Sequence, residues 1–173
     1  MSIRQAQKSD FAIVKEITQT TIQTIYPNYY PPGAVAFFLQ HHNDKKIAED
    51  IANGIVFLCC DKDNRITGTV TIRDNEIARL FVLPEYQGKG YGKELLEFAE
   101  AEISKQYHEI IIDASLSAKA IYLKRGYQET EYHTIQTENN DYLCYDVMKK
   151  VLIAGEKSNR QPHPNVDSAL KMR

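Results

Sequence analysis

Leu80-Phe81-Val82-Leu83-Pro84-Glu85-Tyr86-Gln87-Gly88-Lys89-Gly90-Tyr91-Gly92 runs from an apolar segment through a proline into three glycines set two residues apart. Glu76 to Leu83 is nearly all apolar apart from Arg79, as expected for a central strand covered on both faces. Pro84 ends that strand. Past the glycines, Gly92, Leu95, Leu96, Ala99 and Ile103 keep the i, i+3, i+4, i+7, i+11 spacing of one buried helical stripe. Strand, glycine loop, helix: this order aims several backbone N–H groups at one point, where the helix N-terminus adds partial positive charge. Gly88, Gly90 and Gly92 remove side chains that would hold an anion off the backbone. The segment is therefore expected to be a phosphate cradle, with Lys89 and Lys93 able to add charge. It is not a dinucleotide fingerprint, which is spaced GxGxxG, nor a nucleoside-triphosphate loop, where Gly-Lys is followed by Ser or Thr.

Upstream, Ile55 to Cys60 and Ile66 to Arg73 read as a hairpin around Asp61-Lys62-Asp63-Asn64, and Asp74-Asn75 turns the chain into the central strand. Ser2 to Ala6 alternates weakly as a first strand. A helix is expected from Ser9, a plausible N-cap, until Tyr26-Pro27, because proline disfavours helical geometry in the residue before it. Ala34 to Gln40 and Asp44 to Ala52 read as two further helices. Downstream, Ile110-Ile111-Ile112 is a short buried strand, and Ser117 to Lys124 is a helix closed by Gly126. Tyr127 to Gln136 and Tyr142 to Val151 are two last strands around Asn139-Asn140.

The pattern gives an α/β (α+β) fold with a mixed, mostly antiparallel sheet of about six to seven strands flanked by helices. With 173 residues the chain suits one domain, expected over residues 1–152. Residues 153–173, polar and containing Pro162 and Pro164, are expected to form a flexible tail. A formal net charge of −2 offers no whole-protein attraction for nucleic acid. The four basic and two acidic residues of Glu156 to Arg173 leave the rest nearer −4. No apolar run approaches the roughly 18 residues of a membrane helix, and no secretory signal is apparent. Cys59, Cys60 and Cys144 are an odd count without a CxxC, which suits reduced thiols and a cytoplasmic location.

The quoted segment, with Gln87, Gly90 and Gly92 at its defined positions, resembles the (Gln/Arg)-x-x-Gly-x-(Gly/Ala) motif of the GNAT acetyltransferases. Ala118-Lys119-Ala120-Ile121-Tyr122-Leu123-Lys124-Arg125-Gly126-Tyr127 resembles the family's second motif, Ala-x-x-x-Tyr-x-x-x-Gly-(Phe/Tyr). The resemblance implies acetyl-coenzyme A as the acetyl donor, no metal, and an amine acceptor, either a small molecule, a polyamine or a peptide. It implies that Leu80, Phe81 and Val82 hold the acetyl and pantetheine, with the Val82 N–H polarising the carbonyl. It assigns the pyrophosphate to Gln87, Gly88, Lys89, Gly90, Tyr91, Gly92 and Lys93. Ser115 stands where the family often has asparagine, three residues before Ala118; its shorter hydroxyl can still reach the pantetheine arm.

Tyr122 matches the tyrosine that acts as general acid for the departing thiolate, a role suited to a phenol that is neutral at pH 7. Glu76, six residues before Val82, corresponds to the general-base glutamate of the histone-acetylating branch; ordered water is the alternative base. Tyr26, Tyr29 and Tyr30, in the proline-stiffened connection after the first helix, either contact the acceptor or pack on the core as an aromatic lid. Tyr132 belongs to the strand region that often faces the same pocket, as does His133. His41-His42 with Asp44 invites a metal reading, but adjacent helical residues diverge by about 100°. Relatives often pair through their last strands, so a homodimer is an open expectation. A module that binds the coenzyme without transferring its acetyl group would share the cradle, and Tyr122 argues for the enzyme.

Overall fold

Two tight turns, with Asn64 at φ 62° and Asp74 at φ 54°, fold the middle of the chain into a meander. Its strands are β2 (Val56–Cys60), β3 (Ile66–Arg73) and β4 (Glu76–Val82). Asp61 anchors the first turn: its carboxylate accepts from the Asp63 and Arg65 N–H groups at 2.8 and 2.9 Å, so the side chain supplies acceptors the turn lacks. The computed structural model describes residues 1–152, and the expected tail at 153–173 lies outside the described residues.

One seven-stranded sheet carries the fold, in the order β1-β2-β3-β4-β5-β7-β6. The remaining strands are β1 (Ser2–Gln5), β5 (Glu109–Ala114), β6 (Gln128–Gln136) and β7 (Tyr142–Val151). Every pairing is antiparallel except β4 with β5. β5 is longer than the expected Ile110–Ile112 because β7 pairs along all of it, from Glu109↔Val151 to Ala114↔Asp146.

Helices cover both faces. On one, α4 (Tyr91–Ser104) lays Leu95, Leu96, Ala99 and Ile103 onto Val70, Ile77, Ile110 and Ile112. On the other, α1 (Phe11–Ile25) and α2 (Pro32–His41) bury Ile17, Ile22, Ala34 and Phe38 against Phe81, Leu143 and Val147. A third cluster joins α3 (Asp44–Ala52), through Ile47 and Ile51, to Val56 and Leu58. The short α5 (Lys119–Lys124) ends at Gly126, whose φ of 84° suits a residue without a Cβ.

The first helix starts at Phe11, one residue later than an N-cap at Ser9 suggests. Asp10, at the end of a 3-10 turn, takes hydrogen bonds from the Gln7 N–H and from both Arg4 amino groups, so an ion pair and not a serine hydroxyl sets the entry to α1. The lone charge inside β4 is likewise resolved by partners. Arg79 is buried, bonded to the Asp50 carboxylate and, through Nε at 3.1 Å, to the Thr71 hydroxyl. A buried arginine without such partners would be strongly destabilising.

Candidate active site

β4 and β5 register only at Glu76↔Ile111 and then part, β4 staying with β3 and β5 with β7. The parting opens the sheet at its centre. Leu83 N–H donates to Thr67 O at 3.0 Å, and Gly68↔Val82 is the adjacent pair. Alternation along an antiparallel ladder therefore turns the N–H and C=O of Val82, and of Leu80 two residues earlier, away from β3 and toward the gap. The Val82 carbonyl is held there by two side chains, Gln87 Nε2 at 2.9 Å and Thr21 Oγ1 at 3.2 Å. Gln87 thus braces the loop against the strand that precedes it.

The loop itself requires glycine at two places. Gly88 has φ 73° and Gly90 φ 93°, in the left-handed region that costs other residues roughly 1–2 kcal/mol. A Cβ on Gly88 would meet nothing within 4 Å, so its space is open. Gly90 is the residue before α4 and brings no capping oxygen, which leaves the first-turn N–H groups directed outward.

A cavity of about 410 Å³ fills the opening. Its walls are Leu80, Phe81 and Val82 from β4, Gln87, Gly88, Gly90, Gly92 and Lys93 from the loop, and Ser115, Ser117, Ala118, Ile121 and Tyr122 around α5, with Thr21, Ile25, Tyr26 and Leu96 completing them. A second cavity of about 50 Å³ continues between the parted strands, with His41, His42, Arg79 and Asp113 in its lining. Tyr26, Leu80, Phe81, Ser115, Ala118 and Tyr122 belong to both.

Tyr122 is buried, its ring edge-on to Tyr127 at 5.5 Å between centroids. Burial, and then the neighbouring Tyr26, push its phenol above the ordinary value, so it keeps its proton. Tyr26 is pushed up to about 12 by burial, and a hydrogen bond with Ser115 partly offsets the shift. At the other cavity, burial drives the His41 imidazole down to about 4, helped by Lys46, Arg79 and Arg73. His42 falls for the same reason, with His41 as its nearest cationic neighbour when charged. Both rings are neutral at pH 7.

Other residues singled out by the sequence lie elsewhere. Lys89 extends over the Tyr86 ring at 5.4 Å, and Tyr91 packs edge-on to the same ring at 5.7 Å; neither lines the cavity. Glu76, at the far end of β4, lines neither cavity: six residues of strand separate it from Val82, roughly 20 Å at strand rise. Tyr30 is a core residue. Its hydroxyl donates to Cys144 O at 3.1 Å and accepts from Leu116 N–H at 2.7 Å, which leaves it committed to holding the α1–α2 connection against β7. Tyr29 is half exposed and Tyr132 lies exposed on β6, both outside the cavity walls. His41 and His42 hold no metal cluster with other residues, and none occurs among the described residues. Their place in the cavity lining, like that of Thr21 and Asp113, had no sequence signal, since each arrives by tertiary packing alone.

No helix among the described residues is long and apolar enough to cross a membrane. The sequence model of the acetyltransferase (GNAT) domain matches residues 25–151. The uncharacterized N-acetyltransferase YafP of Escherichia coli (strain K12) is 24% identical over 149 residues, covering 84% of this chain and 95% of that protein. A GCN5-related N-acetyltransferase from Rhodopseudomonas palustris superposes with a TM-score of 0.78 at 21% identity, covering 87% of this chain and 95% of that one. The PaiA N-acetyltransferase of Thermoplasma acidophilum, solved with coenzyme A, gives 0.68 at 21% identity over 87% and 98%. With seven strands, a parted central pair and a glycine loop in the family's order, and a family match over most of its length, this chain belongs to the GNAT acetyltransferases.

Proposed function

We propose that the protein transfers the acetyl group of acetyl-coenzyme A to a primary amine by direct attack. One observation carries this reading: a cavity bounded by the glycine loop, by the gap-facing backbone of Leu80 to Val82 and by a buried neutral phenol, Tyr122. The residues suit the coenzyme. The open space at Gly88 and the outward N–H groups at the start of α4 fit a pyrophosphate, with Lys93 beside them. The gap at Leu80 and Val82 fits an extended amide-bearing arm, and the Ser115 hydroxyl lies along the same wall. When bound, the coenzyme supplies an activated thioester acetyl group.

The chain's own groups do the rest. The Val82 N–H, turned into the gap, donates to the thioester carbonyl oxygen, where negative charge grows as the amine adds. Thr21 and Gln87 hold the Val82 peptide in that orientation by fixing its carbonyl. Tyr122 gives its proton to the leaving sulfur, so that a thiol departs. Tyr26 and Ser115 line the passage between the cavities, where attacking nitrogen and acetyl carbon would meet. The base is solvent water, because Glu76 lines neither cavity.

The test is thiol release from acetyl-coenzyme A in the presence of a panel of amines, together with calorimetric binding of the coenzyme. Acetylated product with at least one amine supports the reading. Tight coenzyme binding with no product across the panel would replace it with a coenzyme-sensing module.

A further inference from the structure

The small cavity shares a wall with the large one but differs in electrostatic character. Its lining includes the Asp113 carboxylate of β5 and, at the end of α2, His41 and His42. Arg79 shares the lining with the histidines, and two further cations, Lys46 and Arg73, stand close by. Arg73 and Arg79 share a single carboxylate, Asp50. Lys46 Nζ lies 3.5 Å from His41 Nδ1, and the lysine is lowered from its ordinary value, first by burial and then by Arg73 and Arg79. The nearby carboxylates Asp50 and Glu49 do not overcome this. Glu49 is itself 3.9 Å from Lys45, and Asp44 is paired with Lys15. Lys46, Arg73 and Arg79 thus outnumber Asp50, the carboxylate that Arg73 and Arg79 share, while Glu76 registers opposite Arg73.

His41 adds a directional donor. With Nδ1 facing the Lys46 ammonium, the neutral ring carries its proton on Nε2, which can then donate to an anion. A cavity of about 50 Å³ takes roughly three to five water-sized groups, the size of one end group of a small molecule.

We infer that the acceptor is an amine whose own chain bears an anionic group, carboxylate or phosphate, seated beside His41 and Arg79, with Lys46 and Arg73 behind them, while the amine faces Tyr122. The inference rests on acetyl transfer at the parted strands and narrows its acceptor. It disfavours polyamines, whose second ammonium would meet the cationic side. Asp113, in the same lining, is placed to attract the ammonium form of the amine before its proton is lost.

Matched acceptors test this: an ω-amino acid against its carboxamide, an aminoalkyl phosphate against the amino alcohol, and a diamine. The anionic member of at least one pair should show kcat/KM roughly tenfold or more above its neutral partner, expressed in KM. Which pair responds distinguishes carboxylate from phosphate. Lys46→Gln should bring the ratio to within about twofold by raising the anionic member's KM, with the KM for acetyl-coenzyme A unchanged; Arg73→Gln should act in the same direction. Equal rates within both pairs, or preference for the diamine, would overturn the inference while leaving acetyl transfer intact. If no amine is acetylated, acetyl transfer fails, and the inference is then decided by NMR of the His41 and His42 imidazoles. Resonances shifted by the anionic member and not by its neutral partner uphold it; resonances unmoved by both overturn it.

Discussion

Burial raises the Tyr122 phenol and Tyr26 adds to the shift, so the proton to be delivered stays on the oxygen well past neutrality. A donor that must be protonated loses activity only as pH rises through its own pKa. Here that point lies above the ordinary phenol value of about 10, and kcat should show no alkaline fall attributable to Tyr122 up to that pH. Tyr122→Phe keeps the ring against Tyr127 and removes the proton. It should lower kcat by roughly 10²–10⁴-fold with little change in KM for acetyl-coenzyme A. An unchanged kcat would end the acid assignment. Glu76→Gln, measured alongside, should stay within about threefold of the parent, as expected for a residue lining neither cavity. Tyr122 was legible in the sequence because the second motif fixes its distance to Gly126. The histidines were not, because what brings them to the site is the fold of α2 across the parted strands, and no local spacing encodes that.

At the scale of elements, the glycine loop and the strand before it act as one unit. Gln87 ties the loop to Val82, and Gly90 takes φ 93° to enter α4 with its first N–H groups outward. An alanine at Gly90 must either bear roughly 1–2 kcal/mol of left-handed strain or rotate those groups. Gly90→Ala should therefore raise KM for acetyl-coenzyme A by about tenfold and leave the amine KM nearly unchanged. Steady-state kinetics with each substrate varied in turn checks this; a rise in the amine KM alone would contradict the cradle. Strand, loop and helix were all readable here because the chemistry of each residue agrees with its element: apolar strand, proline stop, glycine loop, striped helix. The parting of β4 from β5 was not readable. It lies in how two strands, each held along its length by its other neighbour, diverge from one another, and the local sequence of either strand is ordinary.

For the whole molecule, the same neutral histidines tie stability to pH. His41 sits at the end of α2 and His42 just beyond it, where the helix dipole favours a cation by about 0.3–1 kcal/mol. Burial and the cations Lys46, Arg73 and Arg79 outweigh that, lowering His41 to about 4 and His42 as well. A group whose folded pKa is depressed contributes stability that is fully present above its unfolded value, near 6.5, and is lost as pH falls toward the folded value. The relevant window is therefore pH 6.5 to about 4. Asp10, lowered by its hydrogen bonds from Arg4, acts only below the ordinary carboxylate range, so the two effects separate. The histidine pair should cost roughly 1–3 kcal/mol between pH 7 and pH 5, a fall in Tm of roughly 2–12 °C for a chain of this size. The double variant His41→Gln, His42→Gln should hold its Tm nearly constant over that range, even if its Tm at pH 7 is lower. Scanning calorimetry at pH 7, 6 and 5 separates the outcomes. A parent whose Tm is flat between pH 7 and 5, or a double variant that falls as steeply as the parent, would show that the imidazoles are not buried as neutral rings behind the second cavity.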